Sequence, residues 1–265
     1  MVKVENASFS YNGRDLVFED LNFEVPQGEV MAILGANGIG KTTLFRCLMG
    51  FLKFRTGDVW IDGKNTRRMK ASEFWRDLSY VPQGKGIIFD YPVLNMVVMG
   101  RSNNIGFGRM PKKEDYRAAF GVLEEMGLDT LADRPCTTLS GGQLQMVLIA
   151  RALVKNPKIL VMDEPESNLD MKNQLKTLDL IDTLAHKKNY TVLINTHFPA
   201  HALRCADKTL IIGPKGCLTG DTRQVVTQEH IEDYFGVRAK VLRFKDNARE
   251  FQGIIPFALK ERASG

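Results

Sequence analysis

Between Val2 and Val25 apolar residues recur loosely at alternate positions. They are Val2, Val4, Phe9 and Tyr11, then Phe18, Leu21, Phe23 and Val25, with breaks at Asn12-Gly13 and Pro26-Gln27-Gly28. Successive side chains of a strand point to opposite faces, so this pattern predicts antiparallel strands joined by turns at the start of the chain. The apolar run Glu29 to Leu34 then enters a glycine-rich loop, and Thr42 to Met49 continues as a helix toward Gly50; the order is strand, loop, helix. Further strands are predicted around Val59-Trp60-Ile61, before a turn at Asp62-Gly63, and at Leu78 to Pro82.

From Val93 to Val154 the spacing becomes mainly helical. Ala118, Phe120, Val122, Leu123 and Met126 share one helix face, and Gly127 stops that helix. Two wholly apolar segments, Ile159 to Met162 and Val192 to Ile194, then flank a helix from about Met171 to Lys187. Continuous apolar strands alternating with helices are expected of a parallel sheet covered on both faces. The predicted fold is therefore α/β, with a mainly parallel core sheet, an N-terminal antiparallel β subdomain and a helical subdomain.

Composition narrows the class. The 265 residues are 44% apolar and 25% charged, the balance of an ordinary soluble globular chain. A net charge of +5, with the basic residues scattered, forms no stripe of the kind nucleic acid needs, so no nucleic-acid partner is expected. Cys47, Cys136, Cys205 and Cys217 lie far apart without a CxxC pair, which argues against a zinc or redox motif and for reduced thiols. The N-terminus does not read as a signal peptide, and no stretch of 18 or more apolar residues occurs, so any membrane role requires a partner.

Chemistry concentrates in three places. Gly35-Ala36-Asn37-Gly38-Ile39-Gly40-Lys41-Thr42 fits GxxxxGK[ST] between a strand and a helix. Its glycines let backbone N–H groups turn inward onto phosphate oxygens, Lys41 neutralises the β- and γ-phosphates, and the Thr42 hydroxyl suits Mg²⁺. Asp163-Glu164 ends a buried strand at the edge where open α/β sheets place ligands. Asp163 suits a metal ion held through water, and Glu164 suits a base that polarises the attacking water. Leu139-Ser140-Gly141-Gly142-Gln143 opens a helix; Ser140 and Gln143 have capping-box spacing, while two glycines exceed what a cap needs and would admit a phosphate.

The last of these motifs resembles the signature of the ABC ATPase family, and the resemblance extends over nearly the whole chain. By that resemblance Tyr11 is the aromatic that stacks on adenine and Gln83 is the Q-loop glutamine, a metal ligand and catalytic group. Ser167-Asn168-Leu169-Asp170 is the D-loop, and His197 is the switch histidine. ATP and Mg²⁺ are the implied cofactors. The nucleotide contacts are Tyr11, Gly35, Asn37, Gly38, Gly40, Lys41, Thr42 and Thr43 of one copy, with Ser140, Gly141, Gly142 and Gln143 of a second copy paired head to tail. The catalytic group is Glu164, His197 and Gln83, and the metal group Thr42, Gln83 and Asp163. Two departures from the family pattern stand out: Leu144 and Met146 stand where the family usually carries basic residues, and Glu166 where it usually carries Thr or Ser.

The stretch Phe89 to Arg101, Arg134-Pro135 and the segment Cys205 to Val237 resemble ATPases of importers for iron-siderophores, haem, cobalamin and related metal chelates. That resemblance implies transmembrane permease subunits, an extracytoplasmic solute-binding protein, and a peripheral position on the cytoplasmic face of the inner membrane. An exporter's ATPase, or a soluble ABC ATPase acting in assembly, is the alternative; a repair protein of this family would carry a long coiled coil, and no sustained heptads occur. The expected division is an ATPase domain over residues 1–240, with a helical subdomain at about 90–155, and a partly mobile C-terminal extension over 241–265.

Overall fold

The structure is a computed structural model that describes residues 1–84, 90–105, 108–246 and 249–260, the side chains of Asn104 and Arg249 excepted. Of the stretches singled out above, Phe89 and residues 261–265 lie outside the described residues. In chain order the elements begin with β1 (Val2–Ser10), β2 (Leu16–Val25), β3 (Val30–Leu34), α1 (Lys41–Leu48), β4 (Thr56–Ile61), β5 (Lys64–Asn65), α2 (Ala71–Asp77) and β6 (Leu78–Val81). There follow α3 (Val93–Val98), α4 (Ser102–Ile105), α5 (Lys113–Glu125), α6 (Gly141–Leu153), β7 (Ile159–Asp163) and α7 (Met171–His186). The chain continues through β8 (Thr191–Asn195), α8 (Pro199–Cys205), β9 (Lys208–Gly213), β10 (Gly216–Asp221), α9 (Thr222–Val225), α10 (Gln228–Phe235), β11 (Val237–Asp246) and β12 (Arg249–Leu259).

Two compact units divide the chain, Met1–Arg68 with Ile181–Gly265, and Met69–Leu180. In the first, β2, β1, β4 and β5 form an antiparallel sheet in that order. Irregularities in the β1–β2 register between Val4 and Ser10 account for the looseness of the apolar alternation. Beside it runs the order β10-β9-β3-β8, in which β3 is parallel to both β8 and β9. Every residue of β3 and β8 is buried, as central parallel strands require. Asp207 fastens the start of β3: its Oδ2 accepts from Val30 N at 2.8 Å, and its own N–H donates to Val30 O at 3.0 Å.

The same unit ends in a long antiparallel ribbon, β11 with β12, paired from Val237↔Leu259 to Asp246↔Arg249 with a register shift between Arg238 and Ala239. It is stiffened by stacking of Phe244 on Phe251 and by the Arg238 guanidinium over the Phe257 ring. The expected domain boundary after residue 240 falls inside β11.

In the second unit β6 and β7 run parallel, and α3, α5 and α6 pack on one another. The start of α6 is tied to Ser140, and its far end to β6, where Ser79 Oγ donates to Ala152 O at 2.7 Å. Lys155 donates to the carbonyls of Trp75 and Leu78 where α2 gives way to β6, and burial lowers its pKa to about 8. An Arg101–Asp115 ion pair of 2.7 Å joins the turn after α3 to the start of α5. Among the described residues no helix is long and apolar enough to cross a membrane. All four cysteines are free, three of them buried.

Candidate functional site

The first unit carries a glycine-lined cradle. β3 ends at Leu34, and the chain turns through Gly35, Ala36, Asn37, Gly38, Ile39 and Gly40 into α1. Gly35, Gly38 and Gly40 all have positive φ, at 149°, 79° and 116°. At two of them space is also lacking: a Cβ on Gly35 would sit 2.4 Å from Ile212 O, and one on Gly40 2.3 Å from Val17 Cγ1. Glycine is therefore required there by close packing as well as by backbone conformation.

Lys41, 4% exposed, curls back so that Nζ donates to Gly35 O at 2.6 Å and Ala36 O at 2.9 Å. Its charge thus sits within the loop, beside the N-terminal end of α1, where backbone N–H groups add partial positive charge. Thr42 lies exposed at the helix start, while Thr43 is turned inward. β8 is parallel to β3, so His197, two residues beyond β8, lies at the sheet edge that carries Gly35. The Thr196 N–H donates to Ile33 O at 3.2 Å and fixes that junction.

Tyr11 differs from its place in the apolar pattern. The pattern counts it with the buried positions of the first strand, yet it is 64% exposed. β1 ends at Ser10, and Asn12 Oδ1 then accepts from Arg14 N and Asp15 N, an Asx turn that lifts the ring off the core. The ring meets Phe9 edge-on at 4.9 Å, and the hydroxyl bonds Thr43 Oγ1 at 2.9 Å. That leaves an accessible aromatic face tethered to the helix that follows the cradle.

The second unit carries an acidic edge. Because β6 and β7 are parallel, Gln83 and Asp163-Glu164 emerge on one side. Tyr80 OH donates to Asp163 Oδ2 at 3.3 Å. Gln83 Nε2 donates to Glu164 Oε2 at 2.9 Å and to Ser167 Oγ at 2.7 Å, and Ser167 Oγ donates to Glu164 O at 2.9 Å. Glu164 itself has φ 47°, a left-handed conformation uncommon outside glycine, at the point where the strand breaks into a loop. Glu166 is 1% exposed and Leu144 8% exposed, so two departures from the family pattern are interior positions; Met146 is half-buried.

At the start of α6 the capping box forms: Ser140 Oγ accepts from Gln143 N at 3.3 Å, and Gln143 Oε1 accepts from Ser140 N at 3.1 Å. The two glycines have different surroundings. Gly141 is exposed, whereas a Cβ on Gly142 would lie 2.5 Å from Asn173 Cγ. Asn173 is held by Asp170, whose carboxylate accepts from Asn173 N at 2.9 Å and Asn173 Nδ2 at 2.7 Å. These bonds lower the Asp170 pKa, the backbone one most.

A hydroxyl and a carboxylate suit a magnesium ion, which takes few protein ligands and completes its shell with water and phosphate oxygens. Thr42 in the first unit and Asp163 in the second are each a donor of this kind, and among the described residues no cluster of three or more His, Cys, Asp or Glu forms a dedicated metal cage. Sequence reasoning placed Ser167 only as the first residue of a loop motif. Its contact with Gln83, 84 positions away, depends on strand pairing that no local signal carries.

Comparison with known proteins gives these features a common setting. Residues 18–167, more than half of the chain, match the ABC transporter family. A molybdate import ATP-binding protein of Haemophilus influenzae is 37% identical over 88% of this chain and 87% of its own length. An iron(3+)-hydroxamate import ATP-binding protein of Bacillus subtilis is 32% identical over 91% and 90%. Among solved structures, one described as an inward-facing metal-chelate type ABC transporter superposes with a TM-score of 0.86 at 35% identity, covering 97% of each chain. With the glycine cradle, the acidic strand end and the glycine-opened helix in the expected order, the chain belongs to the ABC transporter family as one of its ATP-binding subunits, which hydrolyse ATP.

Proposed function

We propose that this ATPase powers uptake of a metal-containing solute of the metal-chelate class through a transmembrane permease. The observation that carries the reading is the likeness over 97% of each chain to the metal-chelate type transporter, which extends to the C-terminal region as well as the ATPase core. Relatives that import molybdate and iron-hydroxamate leave the cargo within that broad group, since cargo is selected by the permease and the solute-binding protein. The ATPase domain spans residues 1–240 with a helical subdomain at about 90–155, followed by a C-terminal extension.

The residues divide the work as follows. Backbone N–H groups of residues 35–43 and Lys41 bind the β- and γ-phosphates, and the Tyr11 ring stacks on adenine. Thr42, Asp163 and Gln83 would hold Mg²⁺, which supplies charge neutralisation at the phosphates. Glu164 accepts a proton from the attacking water, and His197 orients that water against the γ-phosphate. Ser140, Gly141, Gly142 and Gln143 complete the site of a second copy, so two ATP molecules hold two chains together until hydrolysis releases them. The difference in ATP affinity between closed and open pairs drives the permease.

An apolar cavity of about 330 Å³ in the second unit, lined by Tyr91, Asn95, Val98, Met99, Ser102 and Tyr116 among others, supports permease docking there. The chain then sits peripherally on the cytoplasmic face of the membrane.

Glu164→Gln separates binding from turnover: ATP binding stays, steady-state hydrolysis falls by about 100-fold or more, and a dimer accumulates. Hydrolysis near the wild-type rate would overturn the base assignment. Reconstitution with the partner permease and binding protein in liposomes tests transport, with ATPase stimulation by iron-hydroxamate, haem, cobalamin and molybdate compared in parallel. Stimulation by none of them, with transport of an unrelated solute, would overturn the metal-chelate reading.

A further inference from the structure

Gln83, Glu164 and Ser167 close a small ring of hydrogen bonds. Both hydrogens of the Gln83 amide have acceptors, one in the Glu164 carboxylate at 2.9 Å and one in Ser167 Oγ at 2.7 Å. Ser167 Oγ, with one hydrogen and spare lone pairs, accepts from Gln83 and also donates to Glu164 O at 2.9 Å. The Ser167 N–H bonds the same carbonyl at 3.1 Å, so Ser167 grips Glu164 twice through its backbone, at the residue whose φ is 47°. The Ser167 N–H holds the turn at Glu164 whatever the side chain, so the separate task of the hydroxyl is to hold the amide that covers the Glu164 carboxylate.

Covering has a cost for catalysis. A carboxylate oxygen that accepts an amide N–H has fewer lone pairs for a water, and the amide occupies space the water needs. Release of Gln83 frees that lone pair, and the space beside it, for a nucleotide-bound water. We propose that Ser167 is a positioning residue that parks Gln83 on Glu164 in the resting protein, so that release of Gln83 switches the base from covered to available. Ser167 touches neither nucleotide nor water in this role and acts through Gln83. The inference rests on Glu164 being the base, and on Gln83 joining the nucleotide only in the active state. Without the Ser167 hydroxyl, the parked arrangement loses one of its two amide contacts and the population shifts toward the released form.

The test is steady-state hydrolysis by the purified full-length chain without permease, comparing wild type with Ser167→Ala, Ser167→Cys and Ser167→Thr. Ser167→Ala should raise kcat by about threefold to tenfold, the scale of one hydrogen bond lost from the resting state, while KM for ATP stays within about twofold. Ser167→Thr keeps the hydroxyl and should return kcat to the wild-type value. Ser167→Cys keeps the size with a weaker acceptor and should fall between, which preserves the test if Ser167→Ala folds poorly. A kcat that is unchanged or lower in Ser167→Ala and Ser167→Cys overturns the proposal. A merely structural role would lower kcat and melting temperature together. Glu164→Gln is run alongside: if it turns over at the wild-type rate, the base assignment has failed; if it is inactive while the Ser167 variants match wild type, only the parking role has failed.

Discussion

The glycine-lined cradle of the first unit and the acidic edge of the second are built on opposite plans. In the cradle the main chain sets the shape: Gly35 and Gly40 have no room for a Cβ, and Lys41 is the charged side chain turned into the loop. At the acidic edge the side chains are the functional part, and Gln83, Glu164 and Ser167 position one another by hydrogen bonds. A cradle of main-chain N–H groups is rigid and suits binding, because its donors are in place before the ligand arrives. A side-chain network has alternative arrangements of similar energy, which suits a step that must be switched. Binding and turnover should therefore fail separately when each region is altered.

The largest effect is expected at Lys41. Lys41→Ala should weaken ATP binding by about 100-fold or more, as loss of one partner from a desolvated charge pair does. Titration with a fluorescent ATP analogue reads this directly. Together with Glu164→Gln it forms the sharpest contrast between the regions, and the contrast breaks if both variants lose binding alike.

A smaller effect is expected where the second unit borrows the first unit's device. Gly142→Ala would press on the Asn173 side chain and loosen its bonds to Asp170, costing about 1 kcal/mol of stability in urea unfolding. In an Asn173→Ala background, which lacks the obstruction, the same Gly142→Ala substitution should cost much less. If it does not, the need for glycine at 142 lies outside this contact.

The smallest effect concerns the first unit's sheet, away from both regions. His186 bonds Asp182 Oδ1 at 3.0 Å and Asp207 Oδ2 at 3.0 Å, and Asp207 fastens β3. Burial depresses the His186 pKa, but the hydrogen bond and charge of Asp207, with Asp182 behind it, outweigh burial and raise it above 6.5. A raised pKa means that the folded state holds the proton more tightly. The stabilisation is then fully present below about pH 6.5 and lost as pH rises through the folded value. Because the imidazole is partly exposed, His186→Gln should cost less than about 1 kcal/mol. Melting curves of both proteins from pH 5 to 9 should converge at the alkaline end.

How much of this was legible in the sequence follows from the same contrast. A cradle spelled by eight consecutive residues can be read locally, since its chemistry follows from glycine conformation and one lysine. The apolar runs of β3, β7 and β8 were equally readable, because a strand buried on both faces has no polar interruption. The Gln83–Glu164 contact spans 81 positions and required the pairing of β6 with β7. Gly142 had a plausible ligand-facing explanation from sequence, and its neighbour Asn173 became visible only in three dimensions. The ribbon of β11 and β12 was missed because its exposed Leu242, Phe244, Ile255, Phe257 and Leu259 are mixed with charges on both faces, so no clean alternation marks it.

The place of β3 between β8 and β9 has a consequence for biosynthesis. The strand that launches the cradle is Val30–Leu34, yet its partners are Val192 to Asn195 and Lys208 to Ile211. During synthesis from the N-terminus, β3 must wait for more than 150 further residues, and the whole of the second unit, before either neighbour exists. The cost of closing so long a loop makes this pairing a late event, after the helices of residues 69–180 have had time to form locally. A chain halted before β8 should carry the complete GxxxxGKT motif and still fail to retain ATP, so that competence to bind nucleotide depends on synthesis through β8 and β9.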